Sequence, residues 1–254
     1  MRRVAPPSYR YGPLAPLFAG ALIVGAWQLG VSLSGVPVSF LPSPWVVLVT
    51  LAQQRGVLWD NSLTTLLETV LGVTLAVVAA LVWALLLDRS RLLRRALTPY
   101  LVASQTIPII VLAPLMLLWF GYGLLPKVLL VALFAFFPIV LSTLSGLDET
   151  PAEHHDLMRS FAASPWQTFR LRWPSALPSF FAGLRITLTY SVTGAIFAEY
   201  VGGFSGLGIL LQTAANSRAT PLVFAIIVVI ALLSSLLVAL VTLLERLLMP
   251  WRFQ

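Results

Sequence analysis

Charged residues divide this chain into long uncharged runs. Residues 11–54, 69–87, 96–126, 128–147 and 219–244 contain no Asp, Glu, Lys or Arg. About 20 apolar residues suffice to cross a bilayer core. The runs predict six helices, at roughly 14–34, 62–87, 98–120, 127–146, 179–200 and 221–246. They are too long and too uniformly apolar for the alternation of a membrane barrel. The expected fold is therefore all-α, a polytopic membrane protein with about six transmembrane helices. Two other segments break the pattern. Residues 40–61, "FLPSPWVVLVTLAQQRGVLWDN", place Trp45 and Trp59 around a weakly apolar stretch, which suits a helix in the headgroup layer. Residues 201–221 carry Gly202, Gly203, Gly206 and Gly208 before a short apolar run, which suits a re-entrant or surface-lying helix.

Composition agrees: 59% of the 254 residues are apolar and 10% are charged, where soluble domains run near a quarter charged. The net charge of +7 matters through its placement. With six spans both termini share a side, and that side collects Arg2, Arg3, Arg10, Arg89, Arg91, Arg94, Arg95, Arg159, Arg170, Arg172, Arg246 and Arg252. Arg185 can snorkel to the same face. Arg55, Lys127 and Arg218 remain opposite. This asymmetry predicts cytoplasmic termini. The N-terminus begins like a signal peptide but reads as an uncleaved first helix. Cysteine is absent, which excludes disulfide and thiolate chemistry.

Against this background residues 148–174 are anomalous: a polar, proline-bounded insert on the cytoplasmic side. Thr150-Pro151-Ala152-Glu153 and Ser164-Pro165-Trp166-Gln167 each match a capping box, so two short helices are expected, the second ending before Pro174. On the first, His154, Leu157, Met158 and Phe161 fall on one face. One reading is an amphipathic linker lying on the bilayer. The other is a docking element, since two capped helices with Phe161 and Trp166 near a sharp corner suit insertion into a partner's groove.

These residues resemble a known family. "DLMRSFAASPWQTFRLRWPSALPSFFAGLRI" is similar to the cytoplasmic loop of permease subunits of bacterial ABC importers, which carries the EAA motif, E-A-A-x3-G-x9-I-x-L-P. Asp156 stands at the glutamate, Leu157 and Met158 at the alanines, Ala162 at the glycine, and Trp173-Pro174 at the final Leu-Pro; Ala162 to Pro174 is one residue shorter than the pattern. "FLPSP", "PWQTF", "AGLRI" and "AEYVGGFSGLG" resemble the nitrate/sulfonate/taurine group. "ASQTIP", "APLMLLWFGYGLLPK" and "LLQTAANSRATPLVFA" look closer to its branch for thiamine-precursor pyrimidines and riboflavin.

The resemblance implies a type I importer permease of MetI-like fold: one permease domain over 1–254, with a coupling loop at 148–175 and periplasmic segments at 36–61 and 201–220. It implies ATPase coupling through Asp156, Leu157, Met158, Arg159, Phe161, Ala162, Ala163, Trp166 and Pro174. The implied partners are a second copy of the chain, two ATP-binding cassette subunits, an extracytoplasmic solute-binding protein and lipid in a bacterial inner membrane, with no nucleic acid. No cofactor is expected on this chain; ATP and Mg would sit on the ATPase. The sequence agrees, because it has no G-x-x-x-x-G-K-[ST] and its only lysine, Lys127, stands in "LLPKVLL".

Candidate pathway residues are ionisable or polar groups within spans. Glu68 lies in the second. Glu199 ends the fifth beside the glycine-rich segment, with Tyr200 adjoining, where the resemblance places the outer gate. The alternative is that each carboxylate is satisfied by a neighbouring helix. Gln105 and Thr106 lie between Pro99 and Pro108, which can open a helix. Phe134, Phe136 and Phe137 read as packing or an apolar gate. An intramembrane enzyme is the rival class, but the chain has no H-E-x-x-H and no G-x-S-x-G. Ser191, Ser234 and Ser235 have no histidine beside them in sequence and read as packing residues. The expected cargo is a pyrimidine thiamine precursor or riboflavin, with nitrate, aliphatic sulfonate or taurine as the other class.

Overall fold

The computed structural model describes residues 14–151, 153, 158 and 160–252. They fall into two compact units, residues 14–55 with 214–225, and residues 56–213 with 226–252. Nine helices are described: α1 (Leu14–Ser34), α2 (Pro44–Gln53), α3 (Arg55–Arg89), α4 (Arg91–Ser104), α5 (Ile109–Phe120), α6 (Leu124–Asp148), α7 (Pro165–Gly202), α8 (Leu207–Asn216) and α9 (Thr220–Leu248). No strand occurs among the described residues. Five helices, α1, α3, α6, α7 and α9, are long and apolar enough to cross a membrane.

The remaining apolar stretch of the six-span expectation is broken in two. Pro108 has no N–H and holds Ile107 out of helical geometry, so α4 stops at Ser104 and α5 begins at Ile109. Gln105 and Thr106 lie in the gap and are exposed.

The second departure is in the insert. Its second helix was expected to end before Pro174, but α7 runs unbroken through Pro174 and Pro178. Each proline removes a helical hydrogen bond, which costs about 3 kcal/mol in a helix interior. Packing overrides that cost. Ala176, Phe180, Phe181, Leu184 and Leu188 are buried, and α7 lies along α6 with α5 against both. Arg172 fixes the near end, donating to Asp88 on α3 (2.8 Å) and to the Leu147 carbonyl on α6 (2.6 Å).

Small residues allow close approach in this unit. Gly72, Ala76, Ala80 and Ala84 form a buried stripe on α3. A Cβ at Gly72 would stand 2.5 Å from that of Val131 on α6, the contact that glycine permits between membrane helices. In the other unit α1 packs on α2, where Gln28 accepts from the Trp45 N–H (3.2 Å) and Trp27 meets Phe224 at 5.8 Å. Leu17, Phe18, Leu22 and Ile23 of α1 are exposed, as lipid-facing side chains would be.

Candidate functional site

Three places in the larger unit hold the chemistry: an elbow, a buried latch and a cavity. The elbow is the corner between the first insert helix and α7. Asp156, Leu157 and Arg159, like His154, lie outside the described residues. Met158 and Ser160 are helical, and the Ala163 N–H donates to the Met158 carbonyl at 2.9 Å. Ala162 adopts φ +47°. This bond spanning six residues, with a left-handed residue inside it, is a Schellman stop. Glycine takes that conformation without strain, which gives a physical reason for glycine at the matching motif position.

The second capping box forms. Ser164 N–H donates to Gln167 Oε1 (2.7 Å) and Gln167 N–H to Ser164 Oγ (3.3 Å). The first does not. Because α6 continues to Asp148, with Glu149 as its cap, Thr150 sits in the corner itself; its hydroxyl is buried without a partner among the described residues. Phe161 and Trp166 are 73% and 62% exposed. Trp166, Phe169, Trp173 and Phe180 form a ladder of ring contacts running from the tip into the bundle, with centroids 5.5–5.8 Å apart. Met158, Phe161, Ala163 and Arg170 line a concavity of about 450 Å³ on the elbow. Its base is tied down by the Arg172–Asp88 pair and by a two-pronged Arg94–Asp148 pair. Pro174 is exposed one turn inward.

At the other end of α7 stands the latch. Glu199 is fully buried. Its carboxylate accepts from Thr65 Oγ1 (2.6 Å) and from the Gly208 N–H (2.5 Å) at the start of α8. Thr65 in turn accepts from the Leu207 N–H (2.9 Å), and Asn61 accepts from the Gly206 N–H (2.7 Å). A carboxylate facing the first turn of α8 suits the orphan donors and positive end of that helix. Gly206 has φ +116°, and a Cβ there would collide with the Glu199 carboxylate. Beside it Lys127 donates to Glu68 Oε1 at 2.7 Å, both groups buried. The two carboxyl groups interact with each other and with Lys127. Tyr200, next along α7, is exposed.

Lys127, expected at the start of a span and counted on the outer side, is thus a buried partner of Glu68, and Arg185 pairs with Glu245 at 2.7 Å. Asn61 and Thr65 were not singled out from the sequence. Their signal was present in "NSLTTLLET": Asn61, Thr65, Glu68 and Thr69 recur at helical spacing and share one face.

The third feature is a cavity of about 440 Å³ between the α4–α5 break, α6 and α7. Gln105 lines it with Phe134, Phe137, Ser142 and Tyr190; Thr106 lies beside it in the chain, its hydroxyl donating to the Ala103 carbonyl (2.7 Å).

The chain is similar to known proteins. Residues 72–251 match the family model described as binding-protein-dependent transport system inner membrane component. The chain is 42% identical to a riboflavin transport system permease protein of Chloroflexus aurantiacus, over 91% of this chain and 87% of that one. It is 36% identical to a formylaminopyrimidine transport permease protein of Halalkalibacterium halodurans (95% and 97%) and 32% identical to a putative aliphatic sulfonates transport permease protein of Bacillus subtilis (98% and 92%). Among solved structures, an amino acid ABC transporter chain superposes with TM-score 0.63 at 17% identity, covering 78% of this chain and 97% of that one. A methionine ABC transporter chain in an inward-facing conformation gives 0.57 at 23% (79% and 98%), so the fold is shared. The chain belongs to the binding-protein-dependent transport system inner membrane component family, and is a multi-pass permease subunit of an ABC importer.

Proposed function

We propose that this permease works as a homodimer whose two elbows, residues 150–174, each dock an ATP-binding cassette subunit, the ATP and Mg being held by that partner. An extracytoplasmic binding protein delivers the cargo, and both termini face the cytoplasm. Removing the paired Lys127 and Arg185 from the basic-residue count leaves the bias pointing the same way.

One observation carries the coupling: α7 is a single 38-residue helix joining the elbow to Glu199 at the latch. A straight helix of that length extends about 57 Å. Nucleotide-driven movement of a docked subunit would therefore displace the latch as a rigid-body shift. In this reading Asp156, Leu157, Met158, Arg159, Phe161, Ala162, Ala163 and Trp166 form or shape the docking surface, with Pro174 at its root. Glu68 and Glu199 hold the outer segment closed, beside Tyr200. Gln105 and Thr106 line the route.

The cargo is a small polar solute, first a pyrimidine thiamine precursor and second riboflavin. The names of two of the most similar relatives support that class. The sulfonate relative keeps the anions (nitrate, aliphatic sulfonates and taurine) as the second reading. The test is to express the chain with the ATPase subunit encoded beside it, purify on a tag carried by this chain, and assay ATP-driven uptake in proteoliposomes with the delivery protein. Recovery of a stoichiometric ATPase and ATP-dependent uptake are expected. A chain that purifies alone and supports no uptake would refute the reading.

A further inference from the structure

The cavity beside the α4–α5 break carries information about the cargo. Its volume, about 440 Å³, lies within the range that encloses small organic ligands. Among the described residues, no Asp, Glu, Lys, Arg or His lines it. Its walls are aliphatic and aromatic: Phe134 and Tyr190 meet edge to face with centroids 6.4 Å apart, and Phe137 stands a turn along α6. The lining also includes polar groups without hydrogen-bond partners among the described residues: the Gln105 carboxamide, the Ser142 hydroxyl and the Tyr190 hydroxyl. Gln105 and Tyr190 are exposed and Ser142 is half-buried, so these groups stand free on the cleft wall to meet a ligand. An apolar chamber with a few unanswered donors and acceptors is the usual chemistry of a ligand site.

We infer that this cavity is a binding station within the membrane for an uncharged, planar nitrogen heterocycle, packed against the ring wall of Phe134 and Tyr190 and read by the Gln105 amide. This rests on the importer reading above and sharpens its cargo. A sulfonate or nitrate would lose its hydration there without meeting a counter-charge, which costs several kcal/mol. A neutral heterocycle has faces for the rings and ring nitrogens or carbonyls for the amide. A lipid chain would suit the walls but would leave the amide and hydroxyls unanswered.

The experiment uses the permease–ATPase complex in proteoliposomes with its delivery protein. Uptake of radiolabelled 4-amino-5-hydroxymethyl-2-methylpyrimidine and of riboflavin is compared with uptake of taurine. Quenching of flavin fluorescence by the complex alone reports direct binding. Gln105→Ala and Phe134→Ala should each weaken flavin quenching and raise the uptake KM by about tenfold, as one lost hydrogen bond or ring contact implies. Since Phe134→Ala opens a hole, Ile107→Trp supplies the second test: Ile107 is half exposed at the rim, so the indole plugs the cavity without removing buried packing, and should abolish quenching. Heterocycle uptake unchanged by all three substitutions would overturn the station and leave the importer standing. So would preferential uptake of taurine, or a lipid held in the cavity that neither probe displaces. ATP-dependent uptake of none of the three solutes would overturn the importer reading, and the station with it.

Discussion

The two ends of α7 invert the usual rule of inside and outside. At the latch, ionisable groups are buried: Glu199, Glu68 and Lys127 are at most 5% exposed, and each has a partner within the chain. At the elbow, large aromatic side chains are exposed, and no other element of the described chain covers the Phe161 and Trp166 tips. A buried charge is tolerated when paired; an exposed aromatic cluster is characteristic of an interface. The latch is therefore held by pairs within one chain, whereas the elbow, in the docking reading, is left for a second protein to cover. Substitutions should sort accordingly, changing stability at one end and association at the other.

The largest effect is expected from Lys127→Met. It strands Glu68 in the interior, and breaking a buried pair costs about 3–5 kcal/mol. Detergent-solubilised protein should aggregate at markedly lower temperature in fluorescence-detected gel filtration. The double variant Glu68→Gln/Lys127→Met should recover most of the loss. A single variant as stable as the parent would show that the pair is not holding α3 to α6. At the elbow, Phe161→Ala with Trp166→Ala should leave stability within about 0.5 kcal/mol of the parent, as exposed substitutions do. ATPase affinity should fall about a hundredfold or more, as loss of interface anchors does. Unchanged affinity would remove the docking role.

Glu199→Gln keeps one acceptor oxygen but puts a donor where the other stood, so it cannot accept from both Thr65 and Gly208, a loss of about 1–3 kcal/mol. Faster hydrogen exchange at the amides of Leu207 and Gly208 and raised basal ATPase activity are expected, with the complex intact. Exchange equal to wild type would mean that the carboxylate does not hold α8. Smallest is Ala162→Gly, which relieves a left-handed alanine and should stabilise the elbow by about 1 kcal/mol. Slower local exchange at Ala163 is the readout, and no change would argue against the Schellman stop.

Much of this contrast was legible in the residues. Charge-free runs marked the spans, because few polar patterns survive in hydrocarbon. The third stretch was expected as one helix over 98–120, and Pro108 divides it. Ser164 and Gln167 announced the start of α7, since both halves of that cap are local. What required the structure was non-local. Pro174 read as a stop, yet packing on α6 carries the helix through it and through Pro178. Lys127 counted toward the outer-side charge at the start of a span, while its partner Glu68 lies 59 residues away in the chain. Thr150 matched a cap in sequence, but the extension of α6 removed the room to make it.

The central claim is that a second protein grips the elbow, and one labelling measurement reaches it most directly. The chain contains no cysteine, so Ala163→Cys, half-buried between the Phe161 and Trp166 tips, gives a single thiol. A membrane-impermeant maleimide is added to inside-out vesicles with and without the ATPase subunit. The account predicts rapid labelling of the permease alone and protection of at least tenfold once the ATPase is bound. Equal labelling in both preparations, or a thiol shielded in both because the elbow lies within lipid headgroups, would contradict it.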